Sequence, residues 1–295
     1  MRQSPRRTKP ATPRDNKSLL SGNKLSLRII SGVALAAGAL ALTYAGPLPF
    51  ALMVTAFVAV MAWEWGRLVC SSGIDAAWAI QVVATGGGAL LAVWDCPACG
   101  LLAIIAGTFA VFVLRRVDMG TAQAWWAATG VYYVGLPSIA LVWIRSDPEF
   151  GWVAVLFIFI TVWTTDTAAY IFGKSIGGPL LAPDISPKKT WAGFAGGLIC
   201  ATVLGSAVLI GVAGAQAWWA VIALSAAVSV VSQAGDLGES SLKRLFGRKD
   251  SSGIIPGHGG VLDRVDGLVF AALTCAILAL LRAPDAPGYA LVVWS

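Results

Sequence analysis

Apolar residues in this chain gather into long runs separated by short polar stretches. The runs, of about 16–24 residues, lie near 28–44, 47–69, 77–94, 99–114, 124–144, 151–173, 190–212, 217–238 and 264–281. Each approaches the roughly 20 residues that carry a helix across about 30 Å of hydrocarbon. A sheet would leave unpaired backbone groups in lipid, so runs of this length predict helices. The expected fold class is an all-α polytopic membrane protein with about nine transmembrane helices.

The polar stretches test that count. With the N-terminus inside, alternation puts the tail and the loops near 67–76, 115–123, 174–189 and 239–264 in the cytoplasm. Those segments hold 19 of the 21 Lys and Arg residues, and only Arg145 and Arg282 fall on the other side. Lys and Arg concentrate in cytoplasmic loops, so the asymmetry predicts a cytoplasmic N-terminus and an outer C-terminus. The expected location is the bacterial inner (plasma) membrane. Asp147, in a loop assigned to the outer face, is expected to tolerate change.

Composition agrees: 57% of the 295 residues are hydrophobic, 12% are charged, and the mean hydropathy is +0.76. A soluble domain carries about twice that charged fraction. The formal charge of +6 is local. Met1–Arg28 holds eight basic residues and one Asp, a net +7, which leaves the remainder at −1. Residues 1–26 read as a basic, disordered cytoplasmic tail, suited to anchoring topology or meeting anionic lipid and not to binding nucleic acid. Residues 27–295 read as a single transmembrane catalytic domain. No small-residue cleavage site closes the first run, so it is taken as an uncleaved helix and not a signal peptide.

Cys70, Cys200 and Cys275 fall in or beside apolar runs, as small hydrophobes do. Cys96 and Cys99 form a lone CxxC with no second pair to complete a zinc site; the stretch reads as a plain loop, with pairing left open if it faces an oxidising side. Gly86–Gly88, Gly193, Gly196, Gly197 and Gly205 lie within spans, where small residues permit close helix packing.

Candidate chemistry lies in acids that membrane helices should not carry. Asp166 interrupts the sixth run, Asp236 and Glu239 end the eighth, and Asp263 and Asp266 open the ninth. A spacing of three puts each pair on one helix face. Near the cytoplasmic ends, these carboxylates would suit Mg²⁺, which takes oxygen ligands together with substrate phosphates. An ion pathway is the competing function, and salt bridges such as Asp263 with Arg264 or a nearby Lys are the structural alternative. Ser186–Trp191 offers Lys188, Lys189 and Thr190 at a helix start, where free N–H groups favour anions. Gly173-Lys174-Ser175 resembles the end of a P-loop, but Ala168 stands where a glycine is required. Ser240–Asp266 adds five basic residues, three aspartates and the chain's one histidine, His258, between glycines. Bound metal, cationic donors and flexible backbone suit phosphoryl-type transfer.

Residues 240–266 carry a recognisable pattern. Ser240-x-Leu242-Lys243-Arg244, then Lys249-Asp250, Ser252, Ile255-Pro256, His258-Gly259-Gly260-Val261, Asp263-Arg264-Val265-Asp266 resemble the signature of the phosphatidate cytidylyltransferase (CDP-diacylglycerol synthase) family. Asp166 in TDTAAYIFGK and the SPKKTWAG stretch resemble further family segments. The resemblance covers about 150 to the C-terminus, while the first half matches only as hydrophobic spans. It implies transfer of a cytidylyl group from CTP to phosphatidate, with Mg²⁺ as cofactor and membrane lipid as surroundings. Asp236 and Asp263 are implied as catalytic metal-binding acids, joined at the metal by Asp166 and Asp266. Lys249, His258 and Arg264 are implied catalytic contacts. Lys188, Lys189, Thr190, Lys243, Arg244 and Asp250 are implied substrate contacts. A CDP-alcohol phosphotransferase shares Asp263-x-x-Asp266-Gly267, but Phe270 and Ala271 stand where its Ala-Arg pair belongs. A secondary transporter would want charges near mid-span and inverted halves. Oligomeric state is open, a homodimer included.

Overall fold

The computed structural model of the chain describes residues 16–255 and 259–294. Its helices in order are α1 (Asn16–Ala45), α2 (Pro47–Cys70), α3 (Ala76–Val93), α4 (Pro97–Met119), α5 (Thr121–Ser146) and α6 (Gly151–Ser175). A hairpin of β1 (Leu180–Ala182) and β2 (Ser186–Thr190) follows, then α7 (Trp191–Ala213), α8 (Trp218–Leu245), α9 (Leu262–Arg282) and α10 (Pro287–Val292). Among the described residues, α2 to α9 are eight helices long and apolar enough to cross a membrane. In α1 the stretch Ser31–Ala45 is a shorter apolar helix.

Local chemistry accounts for the boundaries. Proline opens α2, α4 and α10, where its missing N–H has no helical partner to lose. Asp75 caps α3 by accepting from the Trp78 amide at 2.9 Å. Burial of Asp75 opposes its ionisation, but the Trp78 amide and the Arg115 guanidinium outweigh burial and hold its carboxyl below the usual carboxylate range.

Helices α2 to α5 pack as one group and α6 to α9 as another, with α5 joining them through α9 and α6. Helices α6 and α7 pack closely, and the glycines explain it. A Cβ on Gly193 would lie 2.7 Å from the Ala169 carbonyl oxygen, and one on Gly197 would lie 2.9 Å from that of Thr165. Only hydrogen at these positions allows the two backbones to meet.

Four features depart from the sequence reading. Helix α1 begins at Asn16 and takes in part of the stretch read as tail. Residues 180–190 form an antiparallel hairpin, so Lys188 and Lys189 stand on a strand, and Thr190 caps α7 by accepting from the Gly193 amide at 3.1 Å. Cys96 and Cys99 are disulfide-bonded and not a plain loop. Asp147 is buried: Oδ1 accepts from the Glu149 and Phe150 amides, and Oδ2 from those of Gly288 and Tyr289, all within 3.1 Å. A loop carboxylate thus fastens α10 to the start of α6.

Candidate active site

Helix α8 runs on to Leu245, so Asp236, Glu239 and Lys243 stand on one continuous helix at i, i+3 and i+7. Helix α9 starts at Leu262, which puts Asp263 and Asp266 in its first turns. The ends of these helices, the hairpin, α6 and the start of α7 enclose a cavity of about 730 Å³. Asp166, Lys174, Lys188, Lys189, Thr190, Asp236, Lys243, Asp250, Asp263, Arg264 and Asp266 line it. Every candidate site residue among the described ones faces this space except Glu239, which is buried, and Arg244 and Lys249, which are exposed. The Arg244 guanidinium donates to the Arg248 carbonyl at 3.0 Å. His258 lies outside the described residues.

A second cavity of about 500 Å³ adjoins the first, and the two share Asp166 and Arg264. Its other walls are almost wholly apolar: Val33, Leu35 and Ala36 of α1, Phe50, Met53 and Phe57 of α2, Phe159 and Trp163 of α6, and Val265 and Leu268 of α9. Asp166 faces both spaces from its mid-bundle helix.

The acids fall into two settings. Asp236 is half-buried, with its Oδ2 2.6 Å from the Lys189 ammonium. Asp166, Asp236 and Asp266 lie close enough to act on one another electrostatically. Asp263 is instead fully engaged. It accepts from Lys243 Nζ at 2.6 Å, the Ser251 amide at 3.0 Å, the Ser251 hydroxyl at 3.0 Å and the Gly260 amide at 2.8 Å. Lys243 also donates to Glu239 Oε1 at 3.2 Å, and Glu239 Oε2 accepts from the Tyr133 hydroxyl at 3.2 Å. Asp236 and Glu239 therefore part company: the first faces the cavity, the second braces Lys243.

Sequence reasoning missed Glu64. It sits in the last third of α2, fully buried, and receives donors from Ser251, Ser252, Val261 and Leu262. The signal was present, since an acid flanked by Trp63 and Trp65 inside a span is as costly as Asp166.

Three comparisons bear on this geometry. The model of the cytidylyltransferase family matches residues 26–281. A phosphatidate cytidylyltransferase of Brucella suis is 38% identical over 271 residues, covering 90% of this chain and 97% of the relative. One from Staphylococcus saprophyticus is 41% identical over 173 residues, 58% of this chain and 65% of the relative.

Proposed function

This chain belongs to the cytidylyltransferase family, and on that premise we propose that its two joined cavities hold the two substrates of one transfer. The enzyme moves a cytidylyl group from CTP to phosphatidate, making CDP-diacylglycerol and pyrophosphate for phospholipid synthesis. The observation that carries the assignment to this site is the junction at Asp166 and Arg264. There a polar, lysine-rich space meets an apolar one inside a helix bundle. A triphosphate needs the first environment and acyl chains need the second.

In this reading a phosphate oxygen of phosphatidate attacks the α-phosphorus of CTP, the bond to the β-phosphate oxygen breaks, and pyrophosphate leaves. The nucleophile is already anionic, so the protein's work is positioning and charge neutralisation. Lys174, Lys188 and Lys189 face the cavity from α6 and the hairpin and would hold the triphosphate. Arg264, at the junction, would meet the lipid phosphate.

The donor set fits Mg²⁺. Among the described residues no three acidic, His or Cys side chains stand close enough to cage a metal by themselves. Mg²⁺ at nucleotide sites uses one or two carboxylates and completes its shell with phosphates and water. Asp236 and Asp166 would supply those carboxylates, with Asp266 behind them and Asp263 holding the adjoining loop. Bound Mg²⁺ would neutralise phosphate charge and orient the leaving group. The topology that matches this chemistry puts the N-terminus and the polar cavity on the cytoplasmic side.

Pyrophosphate release by the purified chain in detergent tests the assignment. Release should require CTP and phosphatidate together and should yield CDP-diacylglycerol. Release without phosphatidate, or none with both, would refute it.

A further inference from the structure

We propose that Glu64, in the N-terminal half of the chain, is a positioning residue of the transfer site. The inference rests on the cytidylyl-transfer reading above. Glu64 lies in α2, yet all four donors it accepts come from residues 251–262. Ser252 Oγ and the Val261 amide (2.9 Å) donate to Oε1. The Leu262 amide donates to Oε2 at 2.7 Å, and the Ser251 hydroxyl lies 3.2 Å from the same oxygen. Oε1 thus has two donors, and Oε2 has the Leu262 amide with the Ser251 hydroxyl beside it.

This arrangement solves a local problem. The first turn of α9 has orphan N–H groups, and no side chain at its own N-cap position accepts from them. Glu64 takes the Val261 and Leu262 amides from another helix, and Asp263 reaches back to the Gly260 amide just before them. The approach is so close that a Cβ on Gly260 would lie 2.0 Å from Ser251 Oγ and 2.3 Å from Glu64 Oε1. Glycine is required at 260 for that reason.

The consequence for chemistry passes through Ser251. Its hydroxyl has one proton and two carboxylates in reach, Glu64 Oε2 at 3.2 Å and Asp263 Oδ2 at 3.0 Å, while its amide is held by Asp263. Apart from Lys243, every donor on Asp263 lies in the segment that Glu64 ties down. Glu64 touches neither cavity. It sets where Asp263, Arg264 and Asp266 stand, and these do line the polar one.

The test uses full-length protein in detergent with CTP, phosphatidate and Mg²⁺. Glu64→Gln keeps the shape but points an NH₂ group at two donors, and it should lower kcat about 10–100-fold, as loss of a supporting partner commonly does. KM for CTP should stay within about twofold, because the hairpin lysines are untouched. Trypsin should cut faster after Arg248 and Lys249 and at an unchanged rate after Lys188. Ser252→Ala, which removes one donor near the surface, should give a smaller fall in kcat and add nothing to Glu64→Gln. That variant keeps the test open if Glu64→Gln accumulates poorly. Wild-type kcat in both variants would overturn the proposal. So would cleavage quickened equally at Lys188, which marks general loosening. Wild-type protein without phosphatidate-dependent turnover would instead defeat the transfer reading itself.

Discussion

Asp236 and Asp263 are both implied as metal acids, yet their surroundings predict that replacing each with Asn will do different things. The Asp263 side chain is 8% exposed and its partner Lys243 9% exposed. Asn at 263 keeps the size but removes the charge and turns one oxygen into a donor. In one orientation that donor faces the Gly260 and Ser251 amides, and in the other it faces the Lys243 ammonium. Each buried donor left without an acceptor costs about 1–3 kcal/mol. Breaking a buried ion pair costs about 3–5 kcal/mol, but Glu239 remains on Lys243 and limits that loss. Asp263→Asn should therefore destabilise the fold by about 3 kcal/mol, which in a chain this size lowers Tm by about 6–12 °C. Asp236 differs: it is 31% exposed and Lys189 27% exposed. Solvent screens such a pair to about 0–1 kcal/mol, so Asp236→Asn should leave Tm within about 3 °C. Both variants should lose turnover. The assay is thermal unfolding in one detergent beside CTP turnover across a Mg²⁺ titration. Equal Tm shifts in the two variants would refute the distinction between a loop-holding and a cavity-facing acid. Wild-type turnover in Asp236→Asn would refute its role at the metal.

Other outcomes follow from the same geometry. Asp147→Asn should destabilise by about 2–4 kcal/mol with little change in turnover per folded molecule, since it faces four amides and no substrate; a neutral Tm would show that α10 docks without it. The folded Asp75 carboxyl ionises below its ordinary value, so its stabilising effect is full above about pH 4 and is lost as pH falls through the depressed value. Asp75→Asn should flatten that acid limb of Tm, and an unchanged limb would exclude Asp75 as its source. Removing divalent cations with a chelator should abolish turnover, and Mg²⁺ should restore it; undiminished turnover would end the metal reading. Reporter fusions near 180 and 250 should mark both loops cytoplasmic, and an outer reading at either would overturn the proposed topology.

Much of this protein is legible one residue at a time. The apolar runs specify membrane helices because a helix pairs its backbone groups within one segment, as lipid requires, and a barrel strand is only about half as long. Gly193 and Gly197 announce a close helix contact because a missing Cβ means the same thing in any span. Asp166, Asp236, Asp263, Asp266, Lys188 and Lys189 stand out because charge near hydrocarbon is costly, and they do line one cavity. What such reasoning cannot supply is pairing. Glu64 was missed and Asp147 looked inert because Ser251 and Gly288, which bind them, lie 187 and 141 residues away in the chain. Asp236 and Glu239 share a helix face, but Lys243 and Tyr133 draw the second away from the cavity. The adjoining of a polar and an apolar cavity at Asp166 arises where α1, α2, α6 and α9 meet. Periodicity and local cost are properties of a segment, whereas the partner of a buried carboxylate is a property of the packing that brings distant segments together.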